Sequence, residues 1–415
     1  MNNPWLLLLA LGLSALLLAA CASGGSSSSK TIAVDDDDDN DDNDNDNDAS
    51  PDDDASPDDD NDDLSPDDDD NDDDNDDNDD DNDNNDNDND DNDNDDDDDS
   101  SPADDDDDDD SAWCLEAVWG SSATDVFAVG SQDGGALGLI LHYDGTSWTT
   151  MTVPGGTYWL CDVWGASPSD VFAVGGNFPE EGNPSESVIL QYNGTSWALL
   201  PGDFQFTPTA VWGSSASDVF AVGAGGGVLY YDGTSWTTMT SGTSEDLYGV
   251  WGTSPSDVFA VGTYYPGDPV YFASYVILHY DGTSWTTMAN SSFGPGLSLY
   301  SVWGSSSSDV FAVGEWGLGL HYDGTSWTTM MTFQSEGAAV SVWGTSHSDV
   351  FAVSGWAIMH YDGTSWTSMA YPADGGPDSV WGTSPSDVFA AGAWTGADDS
   401  VILHYDGSTW TAMPV

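Results

Sequence analysis

"HYDGTSWTTM" at residues 142–151 decides the fold, because the chain writes it or a near copy seven times. "QYNGTSWALL" follows from 191, "YYDGTSWTTM" from 230, and "HYDGTSWTTM" again from 279 and 321. "HYDGTSWTSM" begins at 360 and "HYDGSTWTAM" at 404. A second motif keeps step. "VWG" recurs at Trp119, Trp164, Trp212, Trp251, Trp303, Trp343 and Trp381. After a short Ser/Thr/Pro turn, each is followed by "DVFAVG" or a near copy, led by Asp125, Asp170, Asp218, Asp257, Asp309, Asp349 and Asp387. Seven copies in the 305 residues of 111–415 give about 44 residues per unit. That period with four strand-like runs per copy predicts an all-β fold, a seven-bladed β-propeller of four-stranded antiparallel blades.

Local physics agrees with the period. Val, Ile, Phe, Tyr, Trp and Thr fill the runs, while Gly, Ser, Asp and Pro punctuate them. "YDGTSW" sets Asp-Gly between two β-prone runs, a strong hairpin signal because a tight primed turn needs positive φ. We label the strands A ("VWG"), B ("VFAVG"), C ("ILHY") and D ("SWTTM"). From the Trp of "TSW" to the next "VWG" Trp the spacing is 15 to 18 residues, whereas from the "VWG" Trp to the "TSW" Trp it runs from 23 to 34. The extra residues fall between B and C. The A–B and C–D turns therefore share a nearly constant face, and the B–C and D–A connections share a variable one, where function is usually carried. If A is the innermost strand, the chain starts on A of blade 1 and ends on D of blade 7 without strand exchange. If B is innermost, residues 113–120 complete the last blade beside "STWTAM". The first arrangement is expected.

Composition divides the rest. Of the 77 acidic residues, 48 are Asp within residues 35–110, which leaves 29 for residues 111–415; Lys30 is the only Lys or Arg. A propeller with no cation to offset 29 acids repels phosphate and anionic lipid, which excludes nucleic-acid binding. The tract holds one large apolar side chain, Leu64, and cannot offset the entropy of ordering. It reads as a disordered acidic linker, able to reach roughly 250 Å when extended. Its carboxylates and Asn carbonyls are hard oxygen donors, so weak multivalent calcium association is expected, but it lacks the Gly and Glu of a defined calcium loop. Residues 1–20 carry an apolar run of signal-peptide length ending in small residues.

Four resemblances follow from these residues. "LAAC" (Leu18, Ala19, Ala20, Cys21) resembles the lipobox of bacterial lipoproteins, which implies a lipid on Cys21, a lipidated segment over 21–34 and export. Ala22 in place of Asp then implies the outer membrane or cell surface. The "MNNP" start departs from that family by lacking a Lys or Arg. D-G-T-S-W after a β run is similar to the Asp-box turn of sialidase-type propellers, and "AVG…ILHYDG..W" resembles repeats of the photosystem II assembly-factor type. The whole unit is similar to repeat-bearing lipoproteins of myxobacteria and related environmental bacteria. In Asp-box proteins the turn lies away from the ligand face. Carried over, Asp144, Asn193, Asp232, Asp281, Asp323, Asp362 and Asp406 are turn formers, and Trp148, Trp197, Trp236, Trp285, Trp327, Trp366 and Trp410 pack within blades.

Candidate chemistry is then weighed against that scaffold. His142, His279, His321, His360 and His404 occupy one repeat position and, spread round a ring, do not converge on one metal. His347 alone sits in an A–B turn, where exposure to solvent is expected. A sialidase activity needs an arginine cluster that this domain lacks. Glu116, Asp162 and Asp378 lie on the A strands of blades 1, 2 and 7, neighbours once the ring closes, and make a candidate calcium site. Trp159, Phe178, Tyr264, Tyr265, Trp316, Trp356 and Trp394, in and beside the variable loops, are candidate ligand-binding aromatics, suited to carbohydrate or protein. Cys114 and Cys161 are a candidate disulfide across adjacent blades. No cofactor beyond calcium is expected. The expected protein is a monomeric, non-catalytic, ligand-binding propeller displayed on the cell surface by a lipid anchor and an acidic stalk. A polysaccharide-cleaving enzyme using loop carboxylates, or a purely structural surface protein, are the alternatives.

Overall fold

The computed structural model describes residues 113–132, 137–177, 187–202, 204–264, 274–290, 297–332, 337–372, 375–393 and 400–415. The expected signal segment, Cys21 and the acidic tract lie outside them. Blade 1 consists of strands A (Trp113–Ser122), B (Asp125–Gln132), C (Leu137–Tyr143) and D (Trp148–Thr150). The A strands of the other blades are Trp159–Ser167, Pro208–Ser215, Leu247–Ser254, Leu299–Ser306, Ser341–Ser346 and Ser379–Ser384. Each of the seven sheets runs A-B-C-D in chain order and is antiparallel throughout. The fold is the expected seven-bladed propeller. No strand is exchanged: Trp119 pairs with Phe127 and Val118 with Ala128 of their own blade, and the last sheet contains its own four strands.

Strand B sits between A and C with a neighbouring blade on either face, which is why "VFAVG" is continuously apolar rather than alternating. Its phenylalanines, Phe127, Phe172, Phe220, Phe259, Phe311, Phe351 and Phe389, are all fully buried. Each inserts into the next blade. Phe127 meets Tyr192 at 5.4 Å and the edge of Trp197 at 5.8 Å, and Phe172 meets Tyr231 and Trp236 in the same way. Phe389 closes the circle on Tyr143 at 6.3 Å. Such offset and edge-on pairs add to the burial of apolar area.

The "VWG" motif is explained by the ring. A Cβ built on Gly165 would lie 2.4 Å from Trp119, and one on Gly213 would lie 2.6 Å from Trp164. Gly252, Gly304, Gly344 and Gly382 stand in the same relation to Trp212, Trp251, Trp303 and Trp343, at 2.7–2.9 Å. Gly120 stands so to Trp381, at 2.8 Å. Every blade thus seats its indole where the next blade has no side chain, and the last seats on the first. Hydrogen bonds reinforce several of these joints. The Val118, Val342 and Val380 N–H groups donate to Ser379, Ser301 and Ser341 Oγ at 3.1–3.2 Å, each in the preceding blade.

Candidate functional site

The constant face is built by the quoted motif. Asp144 Oδ1 accepts the N–H groups of Thr146 and Ser147 at 2.8 and 3.0 Å, while Gly145 takes φ +89°. Asn193, Asp232, Asp281, Asp323, Asp362 and Asp406 make the same pair of bonds. Backbone donation from Ser284 and Thr283, with the Thr283 hydroxyl, holds Asp281 down to about 2. A Cβ on Gly145 would meet Thr124 at 2.7 Å, so the C–D turn packs on the A–B turn and the two share a face. The motif is scaffold.

The histidines are scaffold too, held by a partner that the sequence reading did not assign. His142, His279, His321, His360 and His404 Nε2 lie 2.7–2.8 Å from the leading Asp of strand B in their own blade. A Ser or Thr hydroxyl of the A–B turn donates to the other oxygen of that Asp, as Ser121 does to Asp125. In blade 3 the Tyr230 hydroxyl replaces the imidazole and donates to Asp218 at 2.7 Å. Hydroxyl and imidazole each bond the carboxylate, so the set fastens a turn and activates no nucleophile. Blade 6 adds a second imidazole to this pattern: His347, half exposed on its turn, reaches back to Asp309 of blade 5.

The inner end of strand A lines a central channel of ≈ 140 Å³. In five blades a β-bulge three residues before the "VWG" Trp turns a side chain into it: Glu116, Cys161, Thr209, Tyr248 and Tyr300. Asp162 and Asp378 join them. The three acids share the channel, but their ligand atoms are not drawn together: among the described residues, the one group of three or more His, Cys, Asp and Glu donors within 4.8 Å of one another is Asp309, His321 and His347. Both Asp162 oxygens are already engaged, accepting the Val163 and Val211 N–H groups at 2.8 Å. Burial, only partly offset by those two bonds, pushes Asp162 up to about 7. Burial and the nearby charge of Asp378 push Glu116 up to about 8. Burial thus favours the protonated form of both carboxyls.

The expected disulfide is absent. Cys161 is a free thiol whose sulfur accepts the Trp159 indole N–H at 2.9 Å. The reason is register. Cys161 occupies the bulge position filled by Glu116 in blade 1, whereas Cys114 lies two residues earlier and pairs with Ser131. Burial, with Glu116 nearby, raises the Cys161 thiol far above its ordinary range. Trp159, expected among the exposed aromatics, is instead buried, 7 % exposed, at the start of strand A of blade 2.

Trp316 and Trp356 do stand exposed on the variable face, at 65 % and 61 %. They occupy the B–C turns of blades 5 and 6. Trp316 has φ +55°, the one non-glycine residue in the left-handed region among those described. Its counterpart in blade 3 is Gly225, at φ +63° in an equivalent turn. Glu315 Oε2 ties the blade 5 turn down by accepting the Ser298 N–H and hydroxyl at 3.2 Å; Asp246 Oδ1 accepts the Gly225 N–H at 2.7 Å in blade 3. A Cβ on Gly337 would lie 3.3 Å from Trp356, so that ring borders the D–A connection. Phe178, Tyr265 and Trp394 lie outside the described residues, as does the side chain of Tyr264.

No protein-family model and no curated protein matches the chain. Solved structures do, over the propeller. YCF48 bound to D1 peptide aligns with TM-score 0.52 and 15 % identity, over 71 % of this chain and 94 % of that one. YCF48 from Cyanidioschyzon merolae aligns with TM-score 0.50 and 13 % identity, over 71 % and 96 %. The WD40 β-propeller domain of Doa1 aligns with TM-score 0.52 and 12 % identity, over 72 % and 97 %. At these identities the likeness is one of fold.

Proposed function

We propose that the domain is a non-catalytic binding module whose B–C loop face takes a cationic protein segment, with Trp316 and Trp356 as anchors. One observation carries this reading: blade 5 holds an exposed tryptophan in a left-handed conformation that blade 3 gives to glycine. An L residue there costs about 1–2 kcal/mol, and an indole left mostly in water recovers little of it by packing. Strain retained on an exposed aromatic points to use. Cationic character follows from the 29 acids and the absence of Lys and Arg in residues 111–415, which attract basic partners. The indole faces suit Lys and Arg through cation–π contact. YCF48, a propeller of the same fold, is solved with a peptide, which supports a peptide as the ligand class.

Surface display by a lipid on Cys21, with residues 35–110 as spacer, completes the proposal and rests on the sequence alone. The test is a peptide array of basic, neutral and acidic sequences, run beside a glycan array on the full chain. Basic peptides are expected to bind wild type and to be lost with Trp316→Gly and with Trp356→Ala. Binding that ignores both substitutions overturns the reading. Glycan binding lost with both variants assigns the face to carbohydrate instead.

A further inference from the structure

His347 has no equivalent in the other blades. The matching turn position is Ala123, Pro168, Ala216, Pro255, Ser307 and Pro385, and those turns form without an imidazole. What His347 adds is a contact across a blade boundary. Its Nδ1 lies 2.7 Å from Asp309 Oδ1, the same oxygen that His321 Nε2 approaches at 2.7 Å. One atom from each residue falls within 4.8 Å of the other two. Four other blades pair Asp with a single imidazole; this joint alone, among the described residues, collects two.

We propose that Asp309, His321 and His347 form a binding site for one divalent ion of the zinc class, bridging blades 5 and 6 on the face away from the ligand loops. The donor set selects the ion. Two imidazole nitrogens and one carboxylate oxygen suit zinc and its transition-metal neighbours, whereas calcium and magnesium prefer oxygen alone. Bonds of about 2.0–2.2 Å in a tetrahedron put donor atoms roughly 3.3 Å apart. The observed 2.7 Å separations therefore need to open by only about 0.6 Å, as a donor is replaced by a bridging ion. His347 has that freedom, being 49 % exposed on a turn.

The other two donors are anchored. The Ser305 hydroxyl donates to the second oxygen of Asp309, and the Phe311 ring lies 4.7 Å from His321. Phe311 and the edge of Tyr361 flank His347 at 5.9 and 6.0 Å, so the exposed ligand is already aimed. Three protein ligands leave a fourth position to water on the exposed side.

The full chain is titrated with Co²⁺, a spectroscopic stand-in for zinc, in excess Mg²⁺, because the 48 Asp of the tract would otherwise collect ions indiscriminately. One saturable site per chain is expected, with visible absorption of a nitrogen-ligated ion and displacement by Zn²⁺. Sister blades supply variants that keep the turn: His347→Ser takes the residue of Ser307, and His321→Gln that of Gln191. Each should weaken the site by more than about tenfold, since loss of even an outer partner costs that much. His360→Gln, in a single-imidazole joint, should leave it unchanged. Absence of a one-to-one site, or equal affinity in wild type, His347→Ser and His321→Gln, overturns the proposal.

Discussion

At the ring position of strand A all seven blades keep glycine, whereas at the centre of an equivalent B–C turn blade 3 has Gly225 and blade 5 has Trp316. The two positions constrain the chain differently. On the ring, the space where a Cβ would stand is filled by the neighbour's indole, as Trp251 fills that of Gly304 at 2.7 Å. In the turn, a Cβ on Gly225 would meet nothing within 4 Å, and only the positive φ resists a side chain. A steric bar admits no exceptions across the repeat. A conformational cost of about 1–2 kcal/mol admits one where something offsets it. The repeat therefore keeps glycine where a neighbouring indole fills the Cβ space and can depart from it where only the positive φ resists a side chain.

Gly304→Ala breaks the first half of that contrast and should have the largest effect. The new methyl meets Trp251 and the Asp309 carbonyl, both at 2.7 Å, and overpacking of this kind costs about 1–3 kcal/mol. Calorimetry should show a clear drop in Tm; an unchanged Tm would mean that the ring tolerates spreading, and the steric account would fail.

The same tightness that bars a Cβ also desolvates the channel acids beside Cys161, Asp378, Tyr248 and Tyr300, which makes ring stability depend on pH. Glu116 rises from 4.5 to about 8 and Asp162 from 3.8 to about 7. Between those limits the folded chain binds more protons than the unfolded one. The contribution of these two carboxyls to stability is fully present below about pH 4 and is lost as pH rises through 7 and 8. Melting curves from pH 4.5 to 8.5 should fall in that direction, and Glu116→Gln should flatten the upper part. A rising or level profile in wild type would contradict the burial of these carboxyls.

Smaller effects belong to the turn. Trp316→Gly should stabilise the fold by about 1 kcal/mol through release of the left-handed residue, while removing ligand. The reciprocal Gly225→Trp should fold normally at a similar cost. Trp356→Ala, at an exposed residue outside the positive-φ region, should leave Tm within about 0.5 kcal/mol of wild type. If Trp316→Gly melts earlier than wild type, the indole is structural and the contrast with Gly225 dissolves.

Period and turn chemistry made the architecture legible before any coordinates. Seven Asp/Asn-Gly turns and seven "VWG" runs define the blades, and the unequal spacings separate the constant face from the variable one. The adjacency of Glu116, Asp162 and Asp378 was legible as well. What they do there was not, because β-bulges reset the alternation: a residue three positions before the Trp faces the channel, which parity counting cannot reveal. The same bulge separates Cys161 from Cys114 and leaves it beside Trp159. Contacts between consecutive blades were also hidden. His347 bonds an Asp 38 residues away, and each ring indole seats on a glycine of the next repeat. Such pairs are invisible within one repeat unit, since each partner belongs to a different copy.

The absence of strand exchange has a consequence for how such a chain can be rearranged. The joint between blades 7 and 1, where Trp381 seats on Gly120 and Ser379 accepts from Val118, is chemically of the same kind as the internal joints. No backbone ladder marks it as the seam. Circular permutants opened at any D–A connection would therefore preserve every sheet intact. Each cassette, about 44 residues on average, is equally an exchangeable part, so a loop that binds something new could be tried in one sector without renegotiating the other six.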